Sequence, residues 1–144
     1  MIKFEDDTAR LIAEVNKLAK AAENAARPAA QEAAQIYYDL MRRYVPVSKA
    51  PHMFHGENAV YGPYAPGSLR DAIYQAFSKD NSRDGVAEYH IAWNHQKVPY
   101  GFMVEYGTSR AAAQPFMRPA YTSGERAAMA AAEKRLLAEL RKAL

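Results

Sequence analysis

The sequence predicts an α+β domain in which a small antiparallel β-sheet packs against a long N-terminal helix and a C-terminal helix. Three observations predict this fold. Apolar residues recur at helical spacing at both ends of the chain, a run near residue 90 alternates between apolar and polar residues, and a stretch rich in Pro and Gly separates the two patterns. A chain of 144 residues has the size of one domain with one core, so residues 1–144 are predicted to form a single domain.

The N-terminal helix is predicted from residues 4–24, where apolar side chains recur at steps of three and four with charged residues between them. Pro28 interrupts this pattern, which then resumes and continues to Tyr44. The following Val45-Pro46 step ends it. Pro28 either kinks one long helix or lies in the first turn of a second helix, and the sequence leaves both possibilities open.

The most regular strand pattern lies near residues 87–93, where apolar and polar residues alternate. The face predicted to pack against the two terminal helices consists of Ala87, Tyr89, Ile91 and Trp93. An extended run at residues 73–77 and a polar turn at residues 78–85 precede this strand, which predicts a hairpin. Ser68 is predicted to cap a short helical turn that leads into the hairpin.

Two further helices are predicted toward the C-terminus. A short helix from Tyr100 to Tyr106 is expected to end at Gly107, and a long one is expected over residues 122–144. The basic residues Arg141 and Lys142 would lie near the negative end of the long helix's dipole. Its predicted apolar stripe consists of Met129, Ala132, Leu136, Leu140 and Leu144.

Residues 46–67 lack periodicity and are predicted to form a long loop between the N-terminal helices and the sheet. A structureless stretch of about 20 residues inside a compact domain is usually functional or disordered. This one is too apolar for a solvated linker, so we expect it to become ordered against a partner. The predicted partner-interface residues are Met53, Phe54, Val60, Tyr61 and Tyr64.

Composition excludes several classes of site. The chain has no Cys, which excludes disulfides, thiolate metal sites and a Cys nucleophile. No apolar run is long enough for a membrane span, and residues 1–7 are too acidic for a secretory signal. The net charge of +3 and pI near 9.1 leave a small basic nucleic-acid-binding module as an alternative. Because both charge signs alternate along the helices, solvated helix surfaces are the favoured interpretation.

The sequence carries no pattern of catalytic residues. His52 and His55 have an H-x-x-H spacing, but they lie in the Pro- and Gly-rich segment without a third ligand at a recognised spacing. Neither a G-x-S-x-G elbow nor a Gly-rich phosphate loop occurs. We therefore expect no metal, no cofactor and no enzymatic activity.

Two sequence patterns resemble those of a known family. Residues 100–110 and 114–120 closely resemble the hallmark of the tail-completion, or head–tail joining, proteins of long-tailed bacteriophages, and residues 65–73 resemble that family's second pattern. Pro66 stands where the second pattern usually has Thr. The matching residues are Leu69, Arg70, Glu105, Tyr106, Gly107, Thr108, Pro115, Phe116, Arg118 and Pro119.

Elementary chemistry gives the matched residues structural roles. Gly107 can adopt a positive φ at a helix end, and Glu105 can form a partly buried ion pair with Arg118 or Arg70. Phe116 is expected in the core. Pro119 suits the first turn of a helix.

The resemblance implies a structural virion protein, made in the cytoplasm of the host bacterium. It would form a ring, with six subunits expected, at the neck or the top of the tail. DNA would pass through this ring without sequence-specific contact. The implied partners are further copies of the chain, the head connector or stopper, and the tail terminator or tail tube, without a membrane. The long loop is the segment expected to reach them.

Overall fold

The computed structural model describes residues 4–144, with side chains from Asp7 onward. It has the predicted α+β architecture, with two small antiparallel sheets of two strands each where the sequence predicts one. None of the described helices combines the length and the apolar character that crossing a bilayer requires. The elements in chain order are α1 (Phe4–Tyr44), β1 (His52–His55), β2 (Val60–Tyr64), α2 (Ser68–Ala72), β3 (Ile73–Phe77), β4 (Tyr89–Trp93), α3 (Gly101–Tyr106) and α4 (Met117–Ala143).

Helix α1 is one continuous helix of 41 residues with Pro28 in its interior. A proline there removes one backbone hydrogen bond and crowds the preceding turn. Ala25 and Ala29, on either side of Pro28, are buried, so packing against the rest of the protein compensates for this loss. Of the two possibilities that the sequence leaves open, the structure shows the single helix.

Helices α1 and α4 run antiparallel. The Tyr44 hydroxyl lies 3.0 Å from Ser123 Oγ, and Arg135 Nη1 lies 3.5 Å from Glu32 Oε1. Moving 12 residues back along α1 therefore matches moving 12 residues forward along α4. This pairing is the largest contact between elements in the fold.

The face of α4 that contacts α1 is made of small residues, because Ala120, Gly124 and Ala128 are buried. A Cβ atom at Gly124 would lie 2.6 Å from Leu40 Cδ1, which shows how closely the helices approach. The apolar stripe predicted on α4 is not this contact face, since 66% of Met129 and 86% of Leu144 are exposed. Small residues permit the closer approach, so they and not the larger ones occupy the contact.

The hairpin of β3 and β4 lies where the sequence predicts it. Its register pairs Ile73 with Trp93 and Phe77 with Tyr89, and Ile91 and Trp93 pack against the core. The buried core between α1, α2 and this hairpin consists of Met41, Val45, Leu69, Ile73, Val98, Phe116 and Ala120.

The short helix α2 begins differently from the prediction. Its N-cap is Gly67, with φ of 85°, and the Ser68 hydroxyl donates a hydrogen bond to the Ala65 carbonyl oxygen at 2.6 Å. The predicted capping role of Ser68 was therefore wrong. Gly67 occupies the cap because a left-handed φ is accessible to glycine.

Residues 46–67, predicted as a loop, contain the hairpin of β1 and β2. His55 pairs with Val60 and Phe54 with Tyr61, and the register shifts between His52 and Phe54. The strands have only four and five residues, and the second includes Gly62 and Pro63, which are rare inside strands. The sequence pattern therefore concealed this hairpin. Its backbone pairing forms within the chain itself.

The position of Gly101 gives a stability prediction. A Cβ atom at this buried glycine would lie 2.4 Å from the Trp93 indole, so Gly101→Ala must displace the ring or the start of α3. We expect this overpacking to lower the free energy of unfolding by about 1–3 kcal/mol, measured by urea denaturation. Ser109→Ala, at an exposed position, is the control and should change it by less than about 0.5 kcal/mol. Equal stability of the two variants would contradict the packing described.

Candidate assembly surface

Glu105 connects the family-like motif to the long C-terminal helix. Its side chain, in α3, is only 2% exposed. Oε2 accepts hydrogen bonds from the backbone N–H groups of Phe116 at 2.7 Å and Met117 at 3.0 Å, and Oε1 accepts one from Arg118 at 3.1 Å. These N–H groups have no partner within a helix that begins there, and a carboxylate is favoured at a helix N-terminus. Helix α4 therefore begins at Met117, five residues before its predicted start.

The predicted ion pair of Glu105 forms with Arg118. Arg118 Nε donates to Glu105 Oε1 at 3.1 Å, and Arg118 Nη2 donates to the Glu105 carbonyl oxygen at 3.0 Å. The same guanidinium lies over the Tyr106 ring, 4.6 Å from its centroid. The other predicted partner, Arg70, instead donates to Asp71 Oδ1 at 3.1 Å.

Two opposing effects determine the pKa of Glu105. Burial alone would raise the pKa of this carboxyl group. The hydrogen bonds from the backbone N–H groups of Met117, Phe116 and Arg118, together with the Arg118 side chain, outweigh burial and hold the pKa below its ordinary value of 4.5. The carboxylate is thus ionised at neutral pH, and its charge stabilises the start of α4.

Gly107 and Thr108 form the turn that follows α3. Gly107 has a φ of 76°, and its N–H donates to the Met103 carbonyl oxygen at 2.7 Å. Thr108 Oγ1 accepts hydrogen bonds from the N–H groups of Arg110 at 3.2 Å and Ala111 at 3.1 Å. The motif is thus a compact turn that returns the chain to Glu105.

Two of the remaining motif residues, Leu69 and Phe116, lie in the core. Leu69 is 3% exposed, and Phe116 is fully buried beside the Trp93 ring. Pro119 lies in the first turn of α4, as predicted, and Pro115 is exposed just before that helix. These positions fit a role in holding the fold.

The β1–β2 hairpin covers Tyr100 with one side. The rings of His52 and Tyr64 lie 4.9 and 5.1 Å from the Tyr100 ring, both edge-on, and Phe54 lies 6.1 Å from it. Of the two histidines in the H-x-x-H pattern, His52 belongs to this aromatic cluster, whereas His55 is exposed. No group of three side chains suited to a metal ion occurs among the described residues.

The hairpin also presents apolar side chains to solvent. Met53, Val60 and Tyr61 are 45%, 56% and 48% exposed. The two other residues predicted at the interface, Phe54 and Tyr64, are half-buried against Tyr100. The structure thus divides the five predicted residues into three that are about half exposed and two that are half-buried. Tyr61 pairs with Phe54 and stacks on its ring at 6.2 Å, so it lies on the same side of the hairpin as Phe54, whereas Met53 and Val60 lie on the opposite side.

Helix α3 also presents apolar side chains to solvent. Its outward side chains Phe102, Met103 and Tyr106 are exposed, and the rings of Phe102 and Tyr106 lie 4.6 Å apart. Between α3 and the hairpin lies an open cavity of about 480 Å³, to whose lining Phe54 and Met103 contribute. We call the three exposed hairpin residues and the three exposed α3 residues the assembly surface. The α3 contribution was missed because helical spacing cannot tell which face remains uncovered.

Comparison with protein families gives a match. The model of the family described as "Bacteriophage HK97-gp10, putative tail-component" matches residues 9–107. This range includes most of α1, both hairpins and α3, and ends at the glycine of the motif turn. Comparison with curated proteins and with solved structures found no match.

Proposed function

Because the chain belongs to the HK97-gp10-like family of bacteriophage tail components, we propose that it forms a ring at the neck or the top of the tail and joins the head connector to the tail. The membership confirms the resemblance to a family of phage tail components and makes the protein a structural component of the phage virion. The match covers residues 65–73 and, of the downstream motif, residues 100–107. The assembly surface is the observation that carries the finer proposal. Six large apolar side chains exposed on two neighbouring elements exceed the scattered single exposures that are normal for a monomer.

In this proposal the work of the protein is binding. A closed ring requires that one face of each subunit contact a different face of its neighbour. The assembly surface supplies an apolar face with aromatic anchors, the residue types that dominate stable interfaces. The partner buries the exposed side chains of the hairpin, whose two strands already pair with each other. Six copies of residues 1–144, each acting as one domain, would surround the channel through which DNA passes.

A nonsense mutation in the gene tests this function. Cells infected with the mutant phage should accumulate filled heads and complete tails that do not join, visible by electron microscopy of the lysate. Supplying the wild-type chain from a plasmid should restore joined particles. Infectious particles that contain no copy of this polypeptide would overturn the proposal.

The alternative, a nucleic-acid-binding module, makes a different prediction. Phosphate contacts by Lys and Arg release counterions, so such a module binds duplex DNA tightly at low salt and loses affinity steeply toward physiological salt. Several basic residues here lie beside acidic ones on the same helix, as in the pairs Arg10–Glu14 and Arg135–Glu139. We therefore expect negligible binding of duplex DNA by the isolated subunit in fluorescence anisotropy. Tight binding with a steep salt dependence would favour the alternative.

A further inference from the structure

Helix α1 extends well beyond the end of α4. In the antiparallel register set by Glu32 and Arg135, Ala143 lies beside Asn24, because each is eight residues farther along its helix. Residues 4–23 therefore project past the last turn of α4, over about 30 Å. We call this segment the α1 overhang.

The overhang carries an apolar stripe that is uncovered within the chain. Leu11, Ile12 and Val15 are 61%, 55% and 55% exposed. Leu11 lies two heptads before Ala25, and Val15 lies two heptads before Ala29. Because positions seven apart lie on nearly the same side of a helix, the stripe continues the face that is buried farther along α1.

A second apolar stripe lies on α4. Met129 and Leu137 are exposed. Leu136 and Leu140, on the same stripe, are only half-buried. This stripe is separate from the small-residue face that contacts α1. One chain thus presents two uncovered helical stripes on different elements.

The charges beside the two stripes are complementary. Asp7 and Glu14 lie seven residues apart next to the overhang stripe, and Lys134 and Arg141 lie seven residues apart next to the α4 stripe. The matched spacing allows both opposite-charge contacts to form together when the helices lie side by side. Glu14 already contacts Arg10 at 3.6 Å, but both side chains are well exposed and such a pair is exchanged at little cost.

We infer that the α1 overhang of one copy packs on the outer stripe of α4 in a second copy of this chain. The inference deepens the proposed self-assembly, on which it rests, by naming the two helical faces that meet. The contact joins two different faces, the overhang of one copy and the α4 stripe of another. A twofold dimer would therefore contain the contact twice, and a closed ring would contain it once at each interface between neighbouring subunits.

Because the chain has no Cys, single engineered cysteines report this contact without background. One preparation carries Val15→Cys and a second carries Leu137→Cys, and the mixture is treated with a short bismaleimide. Within one chain the two positions are far apart, since Leu137 lies beside Ala30 of α1, so a linked product forms only between copies. We expect a mixed dimer, and only background dimer when Lys20→Cys, on an exposed position off the stripe, replaces Val15→Cys.

Charge exchange supplies a second readout. Asp7→Lys with Glu14→Lys should lower the yield of the mixed dimer about tenfold, and Lys134→Glu with Arg141→Glu in the other copy should restore it. Absence of the mixed dimer at high protein concentration, or a yield that charge reversal leaves unchanged, would overturn the inference. If the overhang instead binds another virion protein or a lipid surface, the mixed dimer will be absent. The proposed function is tested independently of this contact, by the nonsense mutant, so failure of one proposal can be distinguished from failure of the other.

Discussion

Replacement of Met53, Val60 and Tyr61 by Ser in one chain should abolish the joining of heads to tails and leave the subunit folded. The three side chains are about half exposed in the single chain, so the subunit should fold without them, although it loses the stacking of Tyr61 on Phe54. Burial of each against a partner is worth about 1.5 kcal/mol or more. Losing all three weakens each contact by roughly 4–5 kcal/mol, or about a thousandfold.

Complementation of the nonsense mutant measures this effect as infectious yield, which should fall by about a thousandfold or more. The matched control replaces Tyr74 and Val86 by Ser, since these exposed apolar residues lie on β3 and its turn, outside the assembly surface. The control should support normal yield, and circular dichroism should show both variants folded. Point replacements are sharper than exchanging the whole hairpin for a Gly-Ser linker, which would also remove Phe54 and Tyr64 from Tyr100. Normal yield from the triple variant would show that the hairpin binds no essential partner.

Glu105→Ala should produce the largest loss of stability, about 3 kcal/mol in the free energy of unfolding. The substitution removes the acceptor of the buried N–H group of Phe116 and of the part-buried N–H groups of Met117 and Arg118, at about 1–3 kcal/mol for a buried group, and it also removes the ion pair with Arg118. Glu105→Gln keeps the shape and one acceptor oxygen, so its loss should be smaller. Urea denaturation at pH 7 measures both variants.

The pH dependence of stability tests the same contact. Because folding lowers the pKa of Glu105, its contribution is fully present above the unfolded value near 4.5 and is lost as the pH falls through the lower pKa of the folded state. The wild-type protein should therefore lose more stability than Glu105→Gln between about pH 5 and pH 3. Parallel curves for the two proteins would show that the carboxylate charge does not stabilise α4.

The elements that could be predicted from the sequence are those whose pattern is local. Alternation at Tyr89, Ile91 and Trp93 predicted β4, and a glycine after a short apolar run predicted the end of α3. The continuity of α1 through Pro28 depends on the burial of its alanines, which a local pattern does not contain. The same limit explains the α4 stripe, because the contact with α1 selects small residues over large ones.

The candidate site was predictable to a similar extent. The five apolar residues of the β1–β2 hairpin could be singled out because such residues are unusual in a Pro- and Gly-rich segment, although the strands themselves were concealed. The ion pair of Glu105 and Arg118 could be predicted, because the two residues carry opposite charges within one motif. The hydrogen bonds from the start of α4 to the Glu105 carboxylate could not be predicted, since the carboxylate and these N–H groups lie 11–13 residues apart in the sequence.

Cryo-electron microscopy of purified virions, with the neck reconstructed separately, tests the central claim most directly. The account predicts a ring of this fold between the head and the tail, with Met53, Val60 and Tyr61 buried against a neighbouring subunit or an adjoining neck or tail protein. A neck in which no subunit has this fold, or one in which these side chains face solvent, would contradict it.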